Sequence, residues 1–161
     1  MPALRRYRPT DWDAFLALDL DTGSKTLRYA SEAEREAFRA RWPDVLRERF
    51  GWGERGPTVD AASFWVLDDK GAYAGHLWLS EQRDLRTGVM RLWINTMAIA
   101  SPYRSRGWAR LLMERAEQEA AERGLDGLGL AVDADNVVAR KLYEELGFET
   151  VRLRMVKSRK K

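Results

Sequence analysis

The N-terminal part of the chain combines polar turns with apolar positions at helical spacing. Residues 3–8 can form a short strand, and Pro9-Thr10-Asp11 predicts a turn and a helix N-cap. A first helix is then predicted by apolar residues that recur at helical spacing: Trp12, Phe15, Leu16, Leu18 and Leu20. A second helix is predicted over residues 31–49, where Ser31 and Glu34 match a capping box and Pro43 predicts a break or kink.

The middle of the chain changes to the alternation that is typical of β-strands. Strands are predicted over residues 63–67 and 73–79, joined by a turn at 68–71. A further strand is predicted over residues 89–99, after a polar turn at 81–88. The pattern therefore predicts three consecutive antiparallel strands.

The C-terminal part begins with a helix and a strand. The helix is predicted over residues 107–123, with Glu119 and Arg123 as a surface pair and Gly124 as its end. Alternating apolar and small residues at 128–132 then predict a buried strand.

A further helix and a last strand complete the pattern. Asp135 is predicted to cap the helix, which ends at Gly147, and residues 151–155 predict a half-exposed strand. Together the elements predict an α/β fold with a mixed, mainly antiparallel central sheet flanked by helices. Because no linker or repeat interrupts the chain, we expect a single domain over residues 1–161.

Composition excludes several kinds of chemistry. The chain of 161 residues has no cysteine and one histidine, His76. Disulfides, cysteine zinc sites and a cysteine-bound acyl intermediate are thus excluded, and so is a multi-histidine metal site. We expect no metal.

The net charge of +3 depends on the end of the chain. The last ten residues contain no acid and six bases: Arg152, Arg154, Lys157, Arg159, Lys160 and Lys161. We interpret this segment as a solvated basic tail from about residue 157, and contact with nucleic acid is the less favoured alternative. No apolar stretch resembles a signal peptide or a membrane span, so we expect a cytoplasmic protein without membrane contact.

Residues 97–110 lead from a strand through a short loop into a helix. Such a loop presents backbone N–H groups and the positive end of the helix dipole, which suits a phosphate. Gly107 allows close approach, Ala109 is small, and positive charge comes from Arg104, Arg106 and Arg110. The spacing matches neither the Walker nor the dinucleotide pattern. A basic turn that merely starts a helix is an equally weighted alternative.

A second segment, residues 136–148, completes a resemblance. In the first segment Arg104, Gly107 and Ala109 match the phosphate loop of the GNAT superfamily of N-acetyltransferases. The later helix of that family is matched by Asn136, Ala139, Leu142, Tyr143, Gly147 and Phe148. The chain therefore resembles this superfamily, with good agreement over residues 63–156.

The resemblance implies a GNAT-like acyl-CoA N-acyltransferase fold that uses acetyl-CoA as co-substrate. Two strands would splay apart around the pantetheine arm, with backbone bonds from Ile99, and Asn136 would lie near that arm. Tyr143 would lie beside the sulfur and protonate the departing thiolate. The implied CoA-binding residues are Met97, Ala98, Ile99, Arg104, Ser105, Arg106, Gly107, Trp108, Ala109, Arg110, Asn136, Ala139 and Tyr143.

A general base is not evident. Many relatives carry a glutamate on the strand that corresponds to residues 89–99, yet residues 91–96 contain no carboxylate. The alternatives are a water oriented by Asn95 or Thr96, or the side chains of Glu81, Asp84 or His76, although His76 is more simply a satisfied strand residue.

Most of the seven tryptophans are expected in the core. The candidates for ligand contact are Trp42 and Trp52, near the expected acceptor pocket, and Trp108, along the cofactor.

The function that the resemblance implies is direct transfer of acetyl from acetyl-CoA to a primary amine of a small molecule or of a peptide or protein N-terminus. One alternative is a CoA-responsive, non-catalytic module that contacts nucleic acid or the ribosome through its basic tail. Another is a protein acetyltransferase that docks an acidic partner there. Relatives often dimerise, so a homodimer is an open alternative.

Overall fold

The computed structural model describes residues 1–57 and 63–159, in two compact units, Met1–Ala131 and Val132–Lys161. The first unit is built on a five-stranded sheet in the order β1-β2-β3-β4-β5. Its strands are β1 (Ala3–Arg6), β2 (Ser63–Asp69), β3 (Ala72–Arg83), β4 (Met90–Ile99) and β5 (Leu128–Leu130). Neighbours from β1 to β4 are antiparallel and β5 is parallel to β4. The predicted mixed, mainly antiparallel sheet is confirmed.

Three helices of this unit flank the sheet: α1 (Trp12–Thr26), α2 (Glu32–Phe50) and α3 (Trp108–Glu122). The predicted capping box is present at the start of α2, where Ser31 and Glu34 bond each other's backbone N–H. Of the predicted break or kink at Pro43, the break is wrong, because α2 continues through this residue, and the kink stays a prediction. A proline removes one helical hydrogen bond, and here the turns on either side persist.

The two faces of the sheet bury different helices. Phe64 and Val66 of β2 join an aromatic core under α1 and α2, which contains Tyr7, Trp12, Phe15, Leu46, Trp52, Phe64, Val66 and Trp78. The alternate β2 residues Ser63 and Trp65 face α3, since both bond to Glu119 of that helix. Side chains of a strand alternate between faces, so β2 separates the two layers. No helix within residues 1–57 and 63–159 is long and apolar enough to cross a bilayer.

Glu119 is a buried junction rather than half of a surface pair. It is 5% exposed and accepts hydrogen bonds from Ser63, Trp65 (2.8 Å) and Arg123 (2.5 Å). The predicted partner Arg123 is therefore correct, but the predicted surface position is wrong. Helical spacing identifies the pair and cannot show which strand lies above it.

The second unit contains α4 (Val137–Glu145). Its N-cap is Asn136 instead of the predicted Asp135, and the Asn136 side chain accepts the N–H of Ala139 at 3.3 Å. The predicted strand at 151–155 is also wrong, since residues 148–159 have no regular structure. Alternation places Val151, Leu153 and Met155 on one face, but a strand forms only against a neighbouring strand edge.

The strand predicted at 128–132 is shorter and less buried than expected. It ends at Leu130, its three residues are half-buried, and Val132 is 36% exposed. Gly129 of β5 lies opposite Trp93, and a Cβ at Gly129 would come within 2.5 Å of the indole. The small residue Gly129 thus leaves room for the Trp93 ring of β4. The sequence pattern had indicated instead that the whole strand is buried.

The Glu119 junction predicts a substitution effect that depends on pH. Burial alone would raise the pKa of Glu119, but the hydrogen bonds from Ser63 and Trp65 and the charge of Arg123 hold this pKa below its ordinary value. A lowered pKa means that the ionised carboxylate stabilises the fold above about pH 4.3, the unfolded pKa, and that this stabilisation is lost in acid. Glu119→Gln should lower the free energy of unfolding by about 1–3 kcal/mol at pH 7.

Urea denaturation at pH 7 and near pH 3 measures this effect. The difference between wild type and Glu119→Gln should shrink in acid. The control is Glu122→Gln on the same helix, whose exposed pair with Arg115 should contribute less than about 1 kcal/mol. A difference that is the same at both pH values would contradict the assignment.

Candidate active site

The feature that shapes the site is one extra residue in β4. Leu79 of β3 pairs with Ile94, and the preceding Trp78 pairs with Thr96, so Asn95 has no partner in the register. This is a β-bulge, which reverses the direction of alternate backbone groups beyond it.

Beyond the bulge, backbone N–H groups of β4 point away from β3. The N–H of Ala100 bonds to the carbonyl of Ala74 at 2.9 Å, and alternation then puts Ala98 on the β3 side. Met97 and Ile99 therefore direct their N–H groups to the opposite edge. A Cβ at Gly75 would lie 2.6 Å from the carbonyl oxygen of Ala98, which agrees with this direction.

At that opposite edge, β5 has already ended. It pairs with only three residues of β4, from Leu92 to Ile94. No strand within residues 1–57 and 63–159 pairs with residues 95–99 on this side, and we call this segment the open edge of β4. The backbone amides of Met97 and Ile99 lie along this edge and are directed to where β5 would have continued.

A loop over residues 100–107, which includes a 3₁₀ turn at Ser101–Tyr103, joins the open edge to the start of α3. Ser105 and Gly107 both have positive φ, 60° and 77°, and turn the backbone sharply between β4 and the helix. Gly107 is the N-cap and has no side chain to bond the first N–H groups of α3. An uncapped helix start with its positive dipole end suits an anion, as the strand–loop–helix pattern predicts.

The arginines of this loop brace it. Nε of Arg104 donates to the carbonyl of Ile99 at 2.9 Å, and the guanidinium of Arg106 donates to the carbonyl of Pro102 at 3.0 Å. Arg106 also lies 5.4 Å from the centroids of Tyr103 and Trp108, which stack on each other. The Trp108 side chain, which we expected along the cofactor, thus packs within the loop and is 9% exposed.

A buried polar network lies on the α1 and α2 side of β4. The Asp19 carboxylate accepts hydrogen bonds from Thr96 Oγ1 and Trp42 Nε1, both at 2.6 Å, and lies 3.4 Å from His76 Nε2. Tyr73 lies 2.9 Å from the other ring nitrogen of His76. Burial alone would raise the pKa of Asp19, but bonds from His76, Thr96 and Trp42 outweigh it and hold the pKa below its ordinary value.

The other sequence candidates for a base have structural partners. Glu81 pairs with Arg123 at 3.0 Å, and Asp84 accepts the N–H groups of Arg86 and Thr87 within its turn. His76 is fully buried and hydrogen-bonded, as the simpler interpretation predicted.

The two tryptophans expected near the acceptor pocket lie in different surroundings. Trp52 belongs to the aromatic core and is 7% exposed, whereas Trp42 bonds Asp19.

Sequence reasoning missed Asp19 itself. The available signal was its place four residues after Phe15, on the buried side of α1.

In the second unit, α4 carries the other predicted site residues. Asn136 and Ala139 form the N-cap bond, so the Asn136 oxygen has a structural role. Tyr143 lies one helical turn after Ala139, with its ring 5.7 Å from that of Phe148. Burial raises the pKa of the Tyr143 phenol.

Comparison with known proteins agrees with this architecture. The sequence profile of the acetyltransferase (GNAT) family matches residues 27–148. The uncharacterized N-acetyltransferase YdgE of Bacillus subtilis is 26% identical over 152 residues, which cover 94% of this chain and 88% of that protein. The chain therefore belongs to the acetyltransferase (GNAT) family and is an acyltransferase.

Solved structures show the same fold. A putative acetyl transferase from Pyrococcus furiosus superposes with a TM-score of 0.77 at 24% identity, covering 98% of this chain and 99% of that one. The aminoglycoside N-acetyltransferase AAC(6')-Iy, in complex with CoA, superposes with a TM-score of 0.64 at 16% identity, and 99% of each chain is covered. At these identities the structures establish the fold alone.

The turn before α3 predicts a stability effect at Gly107. A Cβ there would meet nothing within 4 Å, so only its positive φ opposes a larger residue. Gly107→Ala should lower the free energy of unfolding by about 1–2 kcal/mol, and Gly107→Asn by less, because asparagine tolerates left-handed backbone. Chemical denaturation measures both. If alanine is tolerated as well as asparagine, the assigned turn is wrong.

Proposed function

We propose that this acyltransferase carries acetyl from acetyl-CoA directly to a primary amine. The observation that supports this most is a row of backbone donors in two parts, the open edge of β4 and the uncapped start of α3, separated by a loop in which the N–H groups of Tyr103 and Arg104 are bonded internally. A molecule with amide carbonyls at one end and a pyrophosphate at the other is complementary to such a row. Acetyl-CoA has both.

The donor would occupy this row from end to end. Met97, Ala98 and Ile99 provide the strand segment, with the Ile99 N–H bonding the pantetheine arm. Residues 104–110 provide the anion site, where the first N–H groups of α3 meet the pyrophosphate and the bracing arginines add positive charge. We assign Asn136, Ala139 and Tyr143 of α4 to the pantetheine and sulfur end of the same ligand.

The chemistry requires three groups around the thioester. The neutral amine attacks the carbonyl carbon, and the Met97 N–H stabilises the developing oxyanion. The C–S bond then breaks, and the Tyr143 hydroxyl gives its proton to the CoA thiolate. Its raised pKa keeps the phenol protonated at neutral pH. Because the chain has no cysteine to hold the acetyl group, transfer is direct within a ternary complex.

The acceptor class follows from protonation. A lysine side chain, with a pKa of about 10.4, is rarely neutral at pH 7, whereas an α-amino group at about 7.7–8.0 often is. With no carboxylate in residues 91–96, an acceptor with a low pKa suits the site best. We therefore favour α-amino groups and small amines of low pKa.

Removal of one backbone donor tests the row. Ile99→Pro deletes the N–H that faces the open edge and leaves the carbonyl that Arg104 bonds, so the sheet should persist. Ile99→Ala is the matched control, because it shortens the side chain and keeps the N–H. Calorimetry should show CoA affinity lowered about 10-fold by proline and little changed by alanine. If the wild-type protein does not bind CoA, the proposal is wrong.

The acid role is tested with Tyr143→Phe. We expect kcat to fall by about 10² or more, because general acid catalysis contributes on that scale, with little change in CoA affinity. Thiol release is followed with spermidine, neamine and an alanine-initiated tripeptide as acceptors. An unchanged kcat would remove the acid role and leave CoA binding untouched.

A further inference from the structure

Thr96 lies next to the strand segment that the proposed function assigns to the thioester. It lies at the β4 bulge, directly before Met97, whose N–H points to the open edge, and consecutive Cα atoms are about 3.8 Å apart. Its side chain is half-buried and is directed toward α1. The hydroxyl that bonds the buried carboxylate of Asp19 thus belongs to the residue directly before the amide that the proposed function gives to the reacting thioester.

The direction of the Thr96 hydroxyl is determined by Asp19. An ionised carboxylate can only accept hydrogen bonds, so at 2.6 Å the proton must come from Thr96. The second carboxylate oxygen is already bonded by Trp42. The lowered pKa of Asp19 keeps the carboxylate ionised at neutral pH.

The position of His76 also favours donation of the Thr96 proton to Asp19. Its Nε2 lies 3.4 Å from the Asp19 carboxylate and 3.3 Å from the Thr96 oxygen, both of which favour a proton on that nitrogen. The other ring nitrogen then accepts the hydroxyl proton of Tyr73. This tautomer, which we assign from the hydrogen-bond network, leaves Asp19 as the acceptor for both neighbours.

A hydroxyl has one proton and two lone pairs. The Thr96 proton is committed to Asp19, and the N–H of His76 can occupy at most one lone pair. The remaining lone pair can only accept. Thr96 therefore presents a fixed hydrogen-bond acceptor beside the Met97 amide.

We propose that Thr96 Oγ1 accepts an N–H from the acceptor amine, and that Asp19 and His76 are positioning residues which hold the hydroxyl in that direction. The inference rests on the proposed function and names a specificity determinant within it.

The role fits the bond changes of the transfer. With one N–H held by Thr96, the nitrogen lone pair can point at the carbonyl carbon. The C–N bond forms, the C–S bond breaks, and the thiolate takes the proton of Tyr143. The nitrogen releases one proton to solvent, and Tyr143 recovers one from solvent, so the products are the acetamide and CoA thiol.

Four variants test the proposal: Thr96→Val, Thr96→Ser, Asp19→Asn and Glu119→Gln. The acceptor is whichever of spermidine, neamine and the tripeptide the wild type turns over fastest. Thr96→Val removes the acceptor atom and should lower kcat/KM about 10- to 100-fold, while Thr96→Ser should stay within about threefold of wild type. CoA affinity should be unchanged in both.

Asp19→Asn should be at least as damaging as Thr96→Val. An asparagine amide can donate to Thr96, which lets the hydroxyl turn its proton outward and oppose the amine N–H. Glu119→Gln is the matched control, since it also neutralises a buried carboxylate held by three donors, on the other face of the sheet. It should lower stability and leave kcat/KM unchanged.

A quaternary ammonium analogue of the same acceptor gives a second readout. It has no N–H on the methylated nitrogen, so its inhibition constant should be the same for wild type and Thr96→Val. An inhibition constant that rises with Thr96→Val as much as the KM of the amine would overturn the proposal.

Kinetics distinguish the two proposals. If the wild type turns over an amine and Thr96→Val keeps kcat/KM within about twofold, the Thr96 contact is refuted and the acetyltransferase function stands. Equal effects of Asp19→Asn and Glu119→Gln on kcat/KM would likewise refute it. If the wild type binds CoA and turns over none of the three amines, the inference falls together with the proposed transfer.

Discussion

The unpaired residue Asn95 in β4 is the constraint on which the rest of the site depends. Without it, strand alternation would turn the N–H groups of Met97 and Ile99 into the sheet, where β3 would bond them. With it, both groups face the edge that β5 leaves after Leu130. A single extra residue thus converts the end of an ordinary antiparallel ladder into a pair of outward donors, which a loop over residues 100–107 separates from the first turn of α3.

The same bulge places Thr96 where it bonds the buried polar network between β4 and α1. Asn95 bonds Ser80 of β3 at 2.8 Å and Thr96 bonds Asp19 of α1, so the two neighbouring side chains bond polar groups of different elements. Burial of the Asp19 charge is unfavourable unless donors compensate it, and Trp42, Thr96 and His76 provide them. The network therefore orders the region around the bulge and gives the Thr96 hydroxyl one direction.

Local features could be predicted from the sequence, whereas features that depend on distant partners could not. The cap at Ser31 and the turn at Gly107 are determined within a few residues, and both are present. The bulge appears only when β3 and β4 are aligned, and the burial of Glu119 depends on β2. The strand pattern at 151–155 failed for the same reason, because alternation specifies faces and cannot supply a neighbouring edge.

The absence of a carboxylate from residues 91–96 therefore has a different meaning after folding. In the sequence it indicated a missing base, because a carboxylate on another element cannot be recognised from the residues of the strand. In the structure a carboxylate lies beneath that strand, on α1, and reaches it through the Thr96 hydroxyl at 2.6 Å. A buried and hydrogen-bonded carboxylate with a lowered pKa is a poor proton acceptor and a good positioning group. Under the proposed function such a site would orient an amine that is already neutral, which is why an acceptor of low pKa suits it.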